Sequence, residues 1–257
     1  MAERRSYHQF CGLARALDRV GERWTLLVIR NLLLGPRRYG ELLEGLPGIT
    51  TNLLAKRLKE MEELGLIERV ARDGSSREAY ALSELGAALE PAVMELARWG
   101  GRFLTTPTAE DHMDIGWAMI SLKRRYRGGL SLVSEFAIDE RRFELTFTSN
   151  YLAVRERAAT LPDVKLSGSL TAFRALLFTG APASRAIERG ELSVQGEEQT
   201  LRALLAAFDG VVLEATVAGA AGRASKAPVG RSPRKVRRSK AAPKKRAAGA
   251  RAEKRGA

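Results

Sequence analysis

The sequence predicts an α+β protein with two domains and a basic tail, and three observations support this prediction. Apolar residues recur at helical spacing as far as Leu104, whereas after Asp114 they alternate with polar residues as in a half-buried β-strand. The last 39 residues carry fourteen Lys and Arg residues against one acid, Glu253, and contain no aromatic residue. We therefore divide the 257-residue chain into residues 1–104, 112–218 and 219–257.

The tail accounts for the whole net charge of +13, because residues 1–218 contain 29 basic and 29 acidic side chains. Residues 219–257 hold too few apolar side chains to offset the entropy of ordering them, which predicts disorder. A polycation gains affinity for DNA by releasing condensed counterions. The alternative is a solubilising tail without a fixed partner.

The composition argues against several classes of protein. No apolar run approaches the ~18 residues of a membrane span and the N-terminus shows no secretory signal, so we expect no membrane partner and a cytoplasmic location. Cys11 is the only cysteine, and with His8 and His112 as the only histidines we expect neither a metal nor a cofactor. Because no Ser/His/Asp set and no phosphate-binding glycine loop can be assembled, we expect no catalytic residues and no enzyme.

The N-terminal part predicts a helix-turn-helix. A core helix over 24–34 ends at Gly35 and Pro36, and a short helix covers 39–46. The turn Pro47–Ile49 leads to a third helix, which begins at Thr50 or Thr51 and ends at Gly65.

The third helix has two faces. Leu54, Leu58, Met61 and Leu64 form the inner face, and the outer face includes Asn52, Lys56 and Lys59. An amide that pairs with base edges beside cations that bind phosphates is typical of a recognition helix in a major groove, and we add Thr51 and, on the flank, Arg57 to the predicted contacts. The alternative is the ordinary solvated face of an amphipathic helix.

Two strand-like runs, 66–71 and 78–82, predict a hairpin behind this helix, which would form a wing. Arg69, Arg72 and Arg77 are its predicted DNA contacts. Arg37 and Arg38, ahead of the second helix, are predicted phosphate contacts as well.

A last helix is predicted from Glu84 to Leu104, capped by Ser83 and kinked at Pro91. Its apolar stripe is Leu85, Leu89, Val93, Leu96 and Phe103. The stripe predicts homodimerisation, and the alternative is packing against the second domain.

Three motifs recur together in a known family: Gly-Glu-Arg-Trp-Thr at 21–25, Pro-Gly-Ile at 47–49 and Asn-Leu-Leu at 52–54. From about His8 to Leu104 the sequence resembles the HxlR-type winged-helix transcriptional regulators, which are MarR-like. The resemblance implies an operator-binding homodimer. In some members a cysteine near the N-terminus, often in a Cys-Pro pair, senses oxidants or electrophiles. Here Gly12 follows Cys11, so Cys11 is a candidate redox sensor that departs from the pattern, and inert packing is the alternative.

In the second domain the hydrophobic pattern predicts three helices, over 114–126, 171–178 and 197–208. It also predicts strands over 130–138, 143–147, 151–155, 164–166 and 192–194. Four carboxylates around a turn are expected to be solvated surface charge: Glu135, Asp139, Glu140 and Glu144.

The glycines and apolar spacing from Asp163 to Gly196, including Gly168, Gly190 and Leu192, resemble the sterol-carrier-protein-2-like domain over about residues 112–210. That resemblance implies a tunnel for an apolar molecule. The candidate lining residues are Phe136, Phe143, Phe147, Tyr151, Phe173 and Phe178, and the alternative is that each is an ordinary core residue.

Two functions follow as hypotheses. The first is a sequence-specific transcriptional regulator that binds double-stranded DNA as a homodimer, associates with the bacterial nucleoid and responds to an apolar ligand or an electrophile. The alternative is an architectural DNA-binding protein or a lipid carrier that uses the tail or the second domain.

Overall fold

The structure, a computed structural model, describes residues 6–72, 75–104, 108, 110–178 and 183–208, without the side chains of 75–77 and 177–178. All of these residues lie in one compact unit, Met1–Val217. The tail predicted for 219–257 lies outside the described residues.

The N-terminal domain is a winged helix-turn-helix, as predicted. Its elements in chain order are α1 (Gly12–Val20), α2 (Thr25–Leu32), α3 (Tyr39–Glu44), α4 (Thr51–Glu63), β1 (Ile67–Arg72), β2 (Ser75–Leu82), α5 (Glu84–Ala87), α6 (Glu90–Gly100) and the 3₁₀ turn Gly101–Phe103. The sequence analysis did not predict α1. Strands β1 and β2 pair antiparallel as the wing, and Arg37 adds a bridge to Tyr80.

Local signals fix the ends of α4 where the sequence places them. The Thr50 hydroxyl accepts a hydrogen bond from the Leu53 N–H at 3.4 Å, and Gly65 follows the helix with a φ of 68°. That left-handed conformation strains residues other than glycine. Gly48, in the turn between α3 and α4, has a φ of 89°, a conformation that glycine also adopts more easily than other residues.

The helix predicted over 84–104 with a kink at Pro91 is divided into α5 and α6, and the interruption lies just before Pro91. Pro91 lies in the first turn of α6 and has no N–H to donate to the preceding turn. Ser83 caps α5, where its hydroxyl accepts from the Gly86 N–H at 3.1 Å.

The C-terminal domain is an α+β fold built on a five-stranded sheet. Its elements are α7 (Ile115–Leu122), β3 (Leu132–Ile138), β4 (Arg141–Phe147), β5 (Leu152–Arg155), β6 (Val164–Gly168), α8 (Leu170–Phe178), α9 (Ala183–Glu188), β7 (Leu192–Gly196) and α10 (Glu198–Ala206). The strand order is β5-β4-β3-β6-β7, and only β3 and β6 pair in parallel. One face carries the apolar core, where Phe136 of β3 packs on Phe173 of α8.

Two of the four carboxylates expected at the surface are buried. Glu135 and Glu144 lie opposite each other on β3 and β4 and are 3% and 8% exposed. Lys165 Nζ contacts Glu135 at 2.8 Å, and Arg157 Nη2 contacts Glu144 at 2.6 Å. The expectation of solvated charge fails here because the partners come from other parts of the chain.

The two domains meet at a polar interface, which we call the seam: Arg30, Asn31, Leu33 and Leu34 at the carboxyl end of α2 against Trp117, Arg155 and Glu156. Its hydrogen bonds join Arg155 Nη1 to the Leu33 carbonyl at 3.2 Å and the Glu156 N–H to the Leu34 carbonyl at 2.8 Å. The Arg30 guanidinium stacks on the Trp117 ring at 3.9 Å. Burial lowers the pKa of Arg30 to about 10. Because this value is still well above neutral pH, the side chain remains charged.

Candidate nucleic-acid interface

The outer face of α4 presents the residues expected of a recognition helix. Leu54, Leu58 and Met61 are almost completely buried, which fixes the rotation of the helix. The side chains of Asn52 and Lys59 are exposed and make no hydrogen bond or ion pair with any residue that the structure describes, and Lys56 only approaches Glu60 at 3.9 Å. Thr51 is exposed at the start of the helix, and its carbonyl accepts from the Tyr39 hydroxyl at 2.7 Å.

Arg57 is the exception on α4, and the structure corrects its predicted role. Its side chain is only 8% exposed. Nη1 donates to Glu60 at 2.6 Å, and Nη2 donates to Glu22, in the segment before α2, at 3.1 Å. The guanidinium therefore joins α4 to the body of the domain instead of facing outward.

The two described arginines of the wing are paired with glutamates. Arg69 donates to Glu62 at 2.7 Å and to Glu78 at 2.9 Å, and these hydrogen bonds raise its pKa. Arg72 Nη1 donates to Glu41 at 2.7 Å. The Arg69 guanidinium is half exposed, and exposed ion pairs contribute little stability, so that a phosphate can replace a glutamate there at low cost. The side chain of Arg77 lies outside the described part of the wing.

Arg37 and Arg38 occupy different surroundings. Arg38 is the N-cap of α3, and its N–H donates to Glu41 Oε2 at 2.7 Å. The Arg37 side chain is 15% exposed and forms an ion pair with Glu156 of the C-terminal domain. The predicted phosphate contact of Arg37 therefore requires that its guanidinium leave Glu156.

An apolar surface is exposed beside the winged helix, which we call the α1/α6 surface. It comprises the exposed apolar side chains at α1, which are Phe10, Leu13 and Leu17, and those of α6 and the turn after it, which are Leu96, Trp99, Phe103 and Leu104. Trp99 is 57% exposed, and its ring lies 4.9 Å from that of Phe103. The predicted stripe over 84–104 is only partly correct, since Val93 is buried while Leu96 and Phe103 point outward.

The predicted lining residues of the apolar tunnel lie in different surroundings. Phe136, Phe143, Phe147 and Phe173 are buried at 2% exposure or less and lie within the packed core. Tyr151 is at the surface, where its hydroxyl lies 3.1 Å from Glu90 Oε2. The side chain of Phe178 is outside the described residues.

A described cleft lies elsewhere, at the seam. It has a volume of about 390 Å³ and is lined mainly by polar residues, among them Arg37, Asp114, Trp117, Arg141 and Glu156. The sequence analysis missed Asp114, Arg141 and Glu156, and no local signal identifies them. Among the described residues there is no cluster that could bind a metal ion and no helix long and apolar enough to cross a bilayer.

Comparison with known proteins supports both domains. Residues 19–108 match the family described as HxlR-like helix-turn-helix, and residues 123–209 match the SCP-2 sterol transfer family. Over 103 residues the chain is 43% identical to an HTH-type transcriptional regulator, MT3179, of Mycobacterium tuberculosis, a match that covers 39% of this chain and 65% of that protein. The chain thus spans slightly less than two thirds of this relative.

Two relatives from Bacillus subtilis are covered more fully. The HTH-type transcriptional regulator YkvN is 34% identical over 106 residues, which are 41% of this chain and 90% of the relative. The HTH-type transcriptional regulator YodB is 37% identical over 89 residues, covering 34% of this chain and 80% of the relative. The structure of reduced YodB matches 39% of this chain and 100% of its own, with 32% identity and a TM-score of 0.33.

The fold and these sequence matches define a winged helix-turn-helix protein of the transcriptional-regulator class. This chain belongs to the HxlR-like helix-turn-helix family, with an SCP-2-type domain attached. The family and the relatives are transcriptional regulators and not enzymes, as the sequence predicts.

Proposed function

We propose that the protein is a sequence-specific, DNA-binding transcriptional regulator that acts as a homodimer. The observation that carries this proposal is the outer face of α4, where Asn52, Lys56 and Lys59 project opposite a fully buried apolar face. An asparagine amide can pair with the edge of adenine in the major groove, and lysines can contact the flanking phosphates. The wing lies directly behind this helix and supplies further phosphate contacts.

The α1/α6 surface supports the homodimer. Its leucines and aromatic residues form an apolar patch that a second copy of the chain would cover. A two-fold dimer presents two copies of α4, which predicts an operator with two related half-sites. A protein of this kind acts where the DNA is, in the cytoplasm and on the nucleoid.

For a response to an effector, Cys11 is the better supported element. It is exposed at the N-cap of α1, where the backbone N–H groups of Ala14 and Leu13 lower the pKa of the thiol, which favours the reactive thiolate. The alternative effector is an apolar molecule bound by the SCP-2-type domain, in which Phe136, Phe143, Phe147 and Phe173 are packed in the core.

DNase footprinting on the DNA upstream of the protein's own gene tests the proposal. We expect a protected site with two half-sites. Asn52→Ala should weaken binding by about 1–3 kcal/mol and relax specificity at one base pair, whereas Lys56→Ala and Lys59→Ala should weaken binding to all sequences alike.

The matched controls are Asn150→Ala and Arg174→Ala, which replace exposed residues of similar type in the C-terminal domain. These controls should bind as the unmodified protein does. Unchanged binding by all three α4 variants would show that this helix does not contact DNA.

A further inference from the structure

Arg37 lies beside strand β2 of the wing. Its N–H donates to the Tyr80 carbonyl at 2.9 Å, and its own carbonyl accepts from the Tyr80 N–H at 2.8 Å. The backbone of Arg37 is therefore fixed to β2, and only the side chain is able to move. Arg72 contacts the neighbouring Pro36 carbonyl at 3.1 Å, so that a wing arginine lies close by.

The partner of Arg37 belongs to the other domain. Glu156 directly follows β5, and its carboxylate forms the ion pair with Arg37 Nη2. The same carboxylate accepts two hydrogen bonds from Arg141, both at 2.7 Å. Arg141 in turn contacts Asp114, the N-cap of α7. These four side chains form an alternating chain of charges with no net charge.

The arrangement leaves Glu156 with a partner when Arg37 is released. Glu156 would keep both hydrogen bonds from Arg141, so that no buried carboxylate is left without a partner. All four side chains line the cleft at the seam, which gives solvent and ions access to them. A DNA phosphate offers Arg37 an acceptor equivalent to the one it gives up.

We propose that the SCP-2-type domain restrains DNA binding, because Glu156 holds Arg37 away from a DNA phosphate that it contacts when released. This inference rests on the proposed function. The seam joins Glu156 and Arg155 to the carbonyls of Leu34 and Leu33, which follow α2, so that a movement of the SCP-2-type domain away from these carbonyls would withdraw Glu156 and release Arg37. The second domain thereby regulates the first without occupying the DNA-binding surface.

A double-mutant cycle on the full chain tests the proposal. Glu156→Gln should strengthen binding to operator and to scrambled duplex alike, by about two- to fivefold, and steepen the slope of log affinity against log salt by about 0.9. Arg37→Gln alone should change affinity little, since Arg37 is already restrained. In the double variant Glu156→Gln/Arg37→Gln the gain should disappear.

The control for net charge is Glu140→Gln, which removes one negative charge from an exposed turn of the same domain. A gain equal to that of Glu156→Gln would attribute the effect to net charge and overturn the proposal. A gain that persists in the double variant, or no gain from Glu156→Gln while the unmodified protein binds its operator, overturns it too and leaves the proposed function intact.

A measurement on the unmodified chain needs no variant and no DNA. Phenylglyoxal modifies accessible guanidinium groups, and we expect Arg37 to react several-fold more slowly than Arg174, which is exposed on α8. Mass spectrometry of the peptides measures the rate of modification at each arginine. Equal rates at Arg37 and Arg174 would show that Arg37 is not restrained. Absence of DNA binding in every variant would overturn the proposed function and this inference with it.

Discussion

The indole of Trp117 donates a hydrogen bond from Nε1 to Oδ1 of Asn31 at 3.0 Å, which joins α7 to α2 across the seam. Asn31 is 5% exposed, and its amide nitrogen donates to the Gly45 carbonyl, also at 3.0 Å. One buried side chain thus links α2, the end of α3 and the C-terminal domain.

Asn31→Ala should therefore destabilise the protein. The Trp117 indole N–H and the Gly45 carbonyl would lose their partner, at a cost of about 1–3 kcal/mol for a buried polar group left unsatisfied. Urea unfolding followed by far-UV circular dichroism measures the change, with the exposed Asn150→Ala as the control. A loss no larger than that of the control would show that the contact is not important for stability.

A second prediction concerns the corrected role of Arg57. Arg57→Met should lower the free energy of unfolding by about 1–3 kcal/mol, because the hydrogen bonds to Glu60 and Glu22 are lost. Affinity for operator, measured well below the melting temperature and corrected for the folded fraction, should stay the same. A weaker affinity with unchanged stability would restore Arg57 to the DNA contacts.

These two residues show where sequence reasoning ends. The cap at Thr50, the turn at Gly48 and the end at Gly65 were predictable, because each depends on residues only a few positions away. The position of Arg57 on the wheel is ambiguous, and it is decided by Glu22, 35 residues earlier. The ion pair of Arg37 spans 119 residues and depends on how two domains dock, which periodicity does not encode.

The core of the C-terminal domain illustrates the same limit. Alternation predicted the strands and placed Phe136 and Phe143 on one face, and both lie there, opposite each other in the sheet. Whether such a face encloses a tunnel or a filled core depends on the volume supplied by α8, where Phe173 packs 5.3 Å from Phe136, centroid to centroid. The charge row at Glu135 and Glu144 was missed because Lys165 and Arg157 come from beyond the hairpin.

The α1/α6 surface leads to a prediction about assembly. Trp99→Asp should convert a dimer into a monomer, because the charge would be buried in the proposed interface, while the exposed position leaves the fold of the single chain unchanged. Analytical ultracentrifugation measures the change. Leu161→Asp, at an exposed leucine far along the chain, should remain dimeric. If the two variants have the same mass in solution, the interface lies elsewhere.

Cys11 should react at a lower pH than an ordinary cysteine. The backbone N–H groups of Ala14 and Leu13, in the first turn of α1, hold the pKa of Cys11 below its ordinary value, since they stabilise the thiolate. The rate of alkylation by iodoacetamide should therefore reach half of its maximum at a lower pH in the folded protein than in urea. A midpoint that is equal or higher in the folded protein would remove the basis for a reactive Cys11.

The last prediction concerns the tail, residues 219–257, which carries the whole net charge of +13. A protein without residues 219–257 should keep its operator preference, because the residues of α4 and the wing are unchanged. It should bind scrambled duplex more weakly and with a smaller salt slope, since each neutralised phosphate adds about 0.9 to that slope. Even half of the fourteen cations would dominate the few contacts that α4 and the wing provide.

Titration of both proteins on both duplexes from low to moderate salt separates the two contributions. The difference in slope on scrambled DNA reports the number of phosphates that the tail neutralises, and the ratio of operator to scrambled affinity reports what the winged helix contributes. Because the tail strengthens binding to every sequence alike, its removal should leave that ratio unchanged. Identical slopes for the full chain and the truncated chain on scrambled DNA would mean that the tail does not contact nucleic acid, and that its charge serves solubility instead.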